Sequence, residues 1–269
     1  MRYKYFGAVG GALLLLCFAA ALVYGGAKED FNAARKAAGQ GHPEKAILMY
    51  TKVLAYPGLH DENKFTTYNA RGLAYMVAGQ RDQAIADHSR AIELKPGDAS
   101  AYQNRSKAHF AKGENDKALE DLGRAIGLRP DMASAFSDRG AIYILKGQYA
   151  KAIEDLSRAI DLRADVAILY NDRGLAYLKS GKYGAADADF NRAMELKPHS
   201  ASLYNNRGRL NFHMGRFKEA IAAFTRALRL EPDNGKAYNN RAVTYLEMGK
   251  MELARKDFDR ANELGYKTF

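Results

Sequence analysis

An internal repeat of 34 residues is the feature that most constrains this chain, and it recurs in six consecutive copies. Three columns of residues keep this period without interruption. They are the arginines Arg71, Arg105, Arg139, Arg173, Arg207 and Arg241, the glycines Gly79, Gly113, Gly147, Gly181, Gly215 and Gly249, and the alanines Ala84, Ala118, Ala152, Ala186, Ala220 and Ala254. Self-similarity of this kind is typical of solenoids, in which each repeat packs on its neighbours. The period therefore predicts one stacked array, although 269 residues would suffice for two ordinary domains.

Each repeat carries the residue pattern of two amphipathic helices. Two apolar stripes show this in one repeat, namely Tyr170, Gly174 and Tyr177, then Ala186, Phe190 and Ala193. The spacing of i, i+4 and i+7 in the first stripe places its residues on one helical face, and the small residue allows another helix to approach closely. The glycine column follows the first stripe and is predicted to end that helix in the left-handed conformation. The sequence thus predicts an all-α fold of helix-turn-helix repeats.

Several residues indicate where helices begin and end. Prolines are predicted to stop the second helix in four repeats, at Pro96, Pro130, Pro198 and Pro232. Asp131 and Asp233 follow two of these prolines and are predicted to cap the next helix. The stretch Gly58–Lys64 adds about four residues beyond the strict period, and we expect an exposed loop there.

The amino-terminal segment Met1–Ala27 has the pattern of a signal peptide or a membrane anchor. Arg2 and Lys4 precede an uncharged run that extends from Phe6 to Ala27. Its apolar centre suits a secretory signal, with a small-residue cleavage site at Ala27, whereas its full length would suffice to span a bilayer. A buried core helix is the third interpretation. Both leading interpretations export the repeats, because basic residues stay on the cytoplasmic side.

We therefore predict three segments, which are a leader or anchor over residues 1–27, a degenerate first repeat and joint over 28–64, and six repeats over 65–269. The expected location is the periplasm or the cell exterior, with a single-pass inner-membrane protein whose repeats face the periplasm as the alternative. Cys17 is the only cysteine, so the sequence excludes disulfides and thiolate metal sites from the rest of the chain.

From Phe65 to about Tyr266, in six copies, the chain resembles the tetratricopeptide repeat family. This resemblance implies helix pairs stacked into a right-handed superhelical solenoid. It further implies that the inner surface, lined by the first helices, holds a peptide or a partner protein. One departure is systematic, because this chain has arginine in every repeat where the family usually has leucine, immediately before the small residue.

An aspartate column accompanies this arginine column. It comprises Asp87, Asp121, Asp155, Asp189 and Asp257, with Ala223 as the exception. Another arginine follows three residues after each member, as Arg90 follows Asp87. We predict that each aspartate is shared between the first-helix arginine and this second one, which would leave Arg207 without its partner. The alternative is that the arginines form a row that binds anions.

Polar and aromatic residues of the first helices are the predicted partner-binding set. It comprises Gln103, Asn104, Lys107, Phe110, Asn171, Asn205, Asn206, Arg209, Phe212, His213, Asn239 and Asn240. Amides both donate to and accept from an extended backbone, so a row of them suits peptide recognition. The alternative is that one amide column only bonds the neighbouring repeat, and that Phe110 and Phe212 only pack.

No catalytic, cofactor or metal-binding pattern is present in the sequence. The six histidines fall in different columns, and no phosphate-binding loop or nucleophile motif occurs. A net charge of +10 raises nucleic acid as a partner, but the basic residues recur evenly and form no run, so we do not expect it. The sequence predicts a non-enzymatic exported scaffold that binds a protein or peptide. The alternative is a cell-envelope accessory protein that binds a glycan or another anionic polymer.

Overall fold

The computed structural model describes residues 25–266, and within that range the chain is all-α, with fourteen helices and no strand. The helices are α1 (Gly25–Gly39), α2 (Pro43–Leu54), α3 (Asp61–Val77), α4 (Arg81–Leu94), α5 (Ala99–Lys112), α6 (Asn115–Leu128), α7 (Ala133–Leu145), α8 (Tyr149–Leu162), α9 (Ala167–Lys179), α10 (Tyr183–Leu196), α11 (Ala201–His213), α12 (Phe217–Leu230), α13 (Gly235–Glu247) and α14 (Met251–Glu263). They form two compact units, one ending at Leu128 and the other beginning at Arg129.

Within each unit the helices pack as consecutive pairs. The first helix of a repeat packs against its own second helix, and that second helix packs against the first helix of the next repeat. First helices of successive repeats also contact each other, as α9 and α11 do in the unit that begins at Arg129. The prediction of an all-α fold of stacked helix pairs is confirmed.

The small residue of the first helix permits a very close approach to the second. At Gly174 an added Cβ would lie 2.8 Å from Cε1 of Phe190, and at Gly140 it would lie 2.8 Å from Cγ of Leu156. Both of these larger side chains are fully buried. The pairing of a glycine on one helix with a large residue on its partner therefore allows the two helices to pack closely.

The glycine column ends the first helices as predicted, with φ between 70° and 86° from Gly79 to Gly249. The predicted caps at Asp131 and Asp233 are wrong. The capping side chains that the structure shows lie one position later in the repeat, where Asp98 accepts from the Ala101 amide and Asn234 from the Ala237 amide. Before α7 that position is Met132, which makes no side-chain cap.

Most of the extra residues between the first two repeats belong to a helix and not to a loop. The connection is short, from Ala55 to His60, and Leu59 within it is buried. Asp61–Lys64 form the first turn of α3, which has 17 residues where α5 has 14. The expectation of an exposed loop over Gly58–Lys64 is therefore wrong for most of that stretch.

The predicted leader lies outside the described residues, except for its last three. The helix α1 begins at Gly25, and Ala27 is fully buried in a cluster with Phe31 and Ala34. Residues 28–64 comprise the remainder of α1, all of α2 and the start of α3. No helix within residues 25–266 is both long and apolar enough to cross a membrane.

His88 occupies the core position that Phe190 and Leu156 hold in other repeats. Its side chain is fully buried, with Nδ1 3.1 Å from Oδ1 of Asn69, and Nε2 has no hydrogen-bond partner. Burial, together with the positive charge of Arg105, lowers the pKa of His88 from 6.5 to about 3. It is therefore a neutral core residue at physiological pH.

We expect His88 to make the protein less stable in mild acid. Because its pKa is lower in the folded than in the unfolded state, the unfolded chain binds the proton first as pH falls. Stability is then lost below about pH 6.5, at up to about 1.4 kcal/mol per pH unit, until the folded pKa is reached. Urea unfolding between pH 8 and pH 5 should show a shallower loss for His88→Leu than for the wild type. Equal slopes would contradict this assignment.

Candidate functional site

The first-helix arginines are held by aspartates of the second helix in the same repeat. In each pair the arginine Nε donates to Oδ2 at 2.6–2.9 Å and Nη2 donates to Oδ1 at 2.7–2.8 Å. The pairs are Arg71–Asp87, Arg105–Asp121, Arg139–Asp155, Arg173–Asp189 and Arg241–Asp257. All five aspartates are buried. The predicted pairing of these two columns is confirmed.

Four of these five arginines also reach back to the preceding repeat, and Arg139 does not, because Gly123 stands at the equivalent position. The Nη1 atoms of the four donate to a hydroxyl of the previous second helix, at 2.8–3.1 Å. These bonds are Arg71 to Thr51, Arg105 to Ser89, Arg173 to Ser157 and Arg241 to Thr225. One guanidinium thus connects three helices, so we call this arrangement the arginine brace. It supports the structural interpretation of the column over the anion-binding one.

The second-helix arginines do not share these aspartates as predicted. Where the structure shows their ion pairs, they bind a glutamate three residues later, as in Arg90–Glu93, Arg192–Glu195 and Arg260–Glu263. These pairs are largely exposed. Each should therefore contribute little to stability, on the order of 0–1 kcal/mol.

Arg207 departs from this scheme because Ala223 stands where the aspartate would be. Its Nη1 donates to Oδ1 of Asn191, which stands where Ser157 and Thr225 provide the hydroxyl in adjacent repeats, and its Nη2 lies 3.7 Å from Oδ1 of Asp187. Asp187 occupies a position that is Ile153 and Ile221 in adjacent repeats. This acidic residue, in a column that is aliphatic in four of the six repeats, thus partly neutralises the arginine that lacks its usual partner.

The amide columns connect the first helices of neighbouring repeats. Nδ2 of Asn206 donates to Oδ1 of Asn171 at 2.8 Å, and Nδ2 of Asn240 donates to Oδ1 of Asn205 at 2.9 Å. Asn171, Asn205 and Asn206 are buried. For these residues the structure supports the structural alternative, in which the amides bond the adjacent repeat. Asn239 remains partly exposed, and partner contact by the amide columns stays a prediction.

In the unit that ends at Leu128, four predicted site residues lie on α5. Gln103 is buried, whereas Asn104, Lys107 and Phe110 are partly exposed. The last three are therefore the members of this group that a partner can reach. Their contact with a partner likewise stays a prediction.

In the unit that begins at Arg129, predicted and unpredicted residues form a group of basic side chains. Arg209 and His213 lie on α11, with Lys179 at the end of α9 and Lys236 at the start of α13. The pKa values of His213 and Lys236 are both lowered. Desolvation is the larger cause, and the positive charges of Arg209 and Lys179 add to it. Both side chains nevertheless keep exposed surface. We call Lys179, Arg209, His213 and Lys236 the cationic cluster.

Aromatic rings adjoin this cluster. The ring of His213 stacks on Tyr183, with centroids 6.2 Å apart, and lies edge-on to Phe212 at 5.7 Å. Phe212 contacts Phe217 at 5.7 Å, and all three neighbouring rings are partly exposed. The site therefore combines positive charge with apolar surface. Sequence reasoning omitted Tyr183, Phe217 and Lys236 from the site.

A protonatable carboxyl lies on the same first helix, α9, as Lys179. Burial raises the pKa of Asp172 to about 7, although Nδ2 of Asn171 donates to its Oδ1 at 2.9 Å, which opposes that shift. The carboxyl is thus part of the amide network, and its burial favours the protonated form. No group of three or more potential metal ligands occurs within residues 25–266.

Comparison with protein-family models places matches across most of the repeat array. A TPR repeat model matches residues 106–147 and 140–181, and tetratricopeptide repeat models match residues 69–123, 167–200, 201–234 and 223–256. A search of curated protein sequences returned no significant match.

Solved structures of the same architecture resemble the chain. A tetratricopeptide repeat protein from Parabacteroides merdae ATCC 43184 is 20% identical, over 90% of this chain and 94% of that one, with a TM-score of 0.75. MamA is 29% identical, over 65% of this chain and 94% of its own, with a TM-score of 0.56. YrrB is described as a TPR protein with an unusual peptide-binding site. It is 24% identical over 66% of this chain and 91% of its own, with a TM-score of 0.52.

Proposed function

Because this chain belongs to the tetratricopeptide repeat family, whose members act as protein–protein interaction scaffolds, we propose that it binds a partner protein or peptide along its first helices and catalyses no reaction. The observation that carries this proposal is the cationic cluster with its adjoining rings. An extended segment that bears carboxylates and apolar side chains is complementary to such a surface.

The electrostatics of the cluster favour an acidic partner. Desolvation is the main cause of the lowered pKa values of His213 and Lys236, and repulsion from Arg209 and Lys179 adds to it. A carboxylate placed among these groups relieves that repulsion. The rings beside the cluster supply the apolar contact that anchors a peptide. The peptide-binding site described for YrrB is consistent with this use of the fold.

Binding should depend on the charges of the cluster and decrease with salt. We expect a labelled peptide rich in glutamate and leucine to bind, and its affinity to fall about tenfold in the double variant Arg209→Ala/Lys236→Ala at low ionic strength. Fluorescence anisotropy measures both affinities. Lys218→Ala, an exposed lysine of α12, is the matched control and should change nothing. Equal binding of a lysine-rich peptide would contradict the proposal.

A glycan or another anionic polymer is the rival ligand, because exposed cations and tyrosines suit that class as well. Retention on an acidic polysaccharide column separates the two proposals. Salt-sensitive retention that requires Arg209 and Lys236, without peptide binding, would favour the polymer. Photocrosslinking from position 212 in cells, compared in the wild type and the double variant, would then identify the species that occupies the site.

We further propose that the chain is exported, on the basis of its amino-terminal segment. The repeats would then lie in the periplasm or outside the cell, free after cleavage near Ala27 or tethered by an uncleaved anchor. Cell fractionation followed by amino-terminal sequencing tests this proposal. An intact amino terminus on a cytoplasmic protein would contradict export.

A further inference from the structure

The repeat that contains Arg207 has an open depression that is distinct from the surface proposed above for the partner. Its volume is about 460 Å³. Its lining includes Tyr204, Arg207, Arg216, Glu219, Ala223 and Arg226. No residue of the cationic cluster lines it.

The other repeats show what this site lacks. In five repeats, the Nε and Nη2 atoms of the equivalent arginine bind both oxygens of a buried aspartate. At Arg207 that aspartate is replaced by Ala223, which is among the residues that line the depression. The nearest carboxylate, of Asp187, is 3.7 Å from Nη2, which is beyond hydrogen-bond distance. In the five sister repeats the guanidinium binds both oxygens of a carboxylate. The guanidinium of Arg207 has no such bidentate carboxylate.

The charges around the depression favour an anion. Three of its lining residues are arginines, and Glu219 is the only acidic one. The Cζ atom of Arg226 lies 5.9 Å from the ring centroid of Tyr204, at the same depression. The negative charge of Asp187 lowers the positive potential at Arg207, but it does not cancel the positive potential from Arg216 and Arg226.

We propose that this depression binds a carboxylate group, which takes the place of the aspartate that Ala223 has replaced. The Nε and Nη2 atoms of Arg207 would donate to its two oxygens, in the fork geometry that the sister repeats display. Arg216 and Arg226 would strengthen binding by long-range attraction. The carboxylate belongs either to an acidic side chain of a protein or to a free small molecule.

Nuclear magnetic resonance of the arginine side chains tests this site directly. Sodium acetate, titrated against sodium chloride at constant ionic strength, should shift the Nε–H resonance of Arg207 in a saturable manner. The resonance of Arg241, which Asp257 already holds, should not shift and is the internal control. An unmoved Arg207 resonance would overturn the proposal.

Ala223→Asp is the decisive variant, because it restores the pair found in the sister repeats. We expect it to abolish the response of Arg207 to acetate, while leaving the binding of acidic peptide at the cationic cluster unchanged. If the variant responds as the wild type does, the proposal is wrong. Arg207→Gln is a second variant, in which acetate should no longer raise the melting temperature above the chloride control.

A capped Gly-Glu-Gly peptide separates the two sources of the carboxylate. Binding at least tenfold tighter than that of acetate would assign the site to an acidic side chain of a protein. Equal or weaker binding, with the acetate response intact, would assign it to a free small carboxylate. Both outcomes support a carboxylate site, and the Arg209→Ala/Lys236→Ala variant should give the same result as the wild type.

Discussion

Replacing Arg173 with alanine should lower the free energy of unfolding by about 3 kcal/mol, since loss of one partner leaves the buried carboxylate of Asp189 unpaired. The substitution also removes the hydrogen bond to Ser157 in the preceding repeat, so the junction between the two repeats loses a connection. Urea unfolding followed by circular dichroism measures the change.

The chain offers two matched controls for this experiment. Arg192→Ala removes an exposed arginine and should cost less than about 0.5 kcal/mol. Arg207→Ala removes the equivalent arginine of a repeat that lacks the buried aspartate, so no buried carboxylate is left unpaired. It should lower the free energy of unfolding by about 1 kcal/mol. If all three substitutions cost the same, the braces do not stabilise the fold in the way that their geometry indicates.

Replacing Gly208 with alanine should cost about 3 kcal/mol through overpacking. The added Cβ would lie 2.4 Å from Cε1 of Phe224, closer than any methyl group and ring carbon approach without displacement. Phe224 is 1% exposed and has no room to move without disturbing the next helix. The cost therefore lies at the upper end of that seen for larger residues in packed cores. Urea unfolding again provides the measurement.

Gly184→Ala is the control, because an added Cβ at that position of α10 meets no atom within 4 Å. It should leave stability unchanged or raise it by up to about 1 kcal/mol, since alanine is the better helix former. The double variant Gly208→Ala/Phe224→Leu should recover part of the loss, because Leu122 opposes the non-glycine residue Ser106 in another repeat. A neutral Gly208→Ala would show that the two helices separate at little cost.

The sequence was sufficient to predict the helix pairs and the main ion pairs, because both are periodic. A column of arginines and a column of aspartates, each 34 residues apart, must take equivalent positions in every repeat, so one contact implies the others. Ala223 could also be recognised as the missing partner of Arg207, because it interrupts a column.

Other features did not follow from the periodic pattern, because they depend on three-dimensional contacts. The amides of Asn171 and Asn205 have the polarity of surface residues, and only the packing of adjacent first helices shows that they are buried. The role of Asp187 likewise depends on a contact with the following repeat. The cationic cluster was found only in part, because Lys236 lies outside the columns that carried the other predicted residues.

The arginine brace also limits how such an array can change in length. Each of the four complete braces joins the second helix of one repeat to both helices of the next, so its partners meet only when the two repeats are in phase. A duplication or loss of 34 residues preserves that phase at every junction, and the remaining braces re-form with equivalent partners. An insertion between the arginine and its aspartate would misplace the guanidinium relative to the carboxylate, whereas the four extra residues at the start of α3 leave the bond from Arg71 to Thr51 intact. The number of repeats is therefore free to vary, whereas the spacing of arginine and aspartate within a repeat is not.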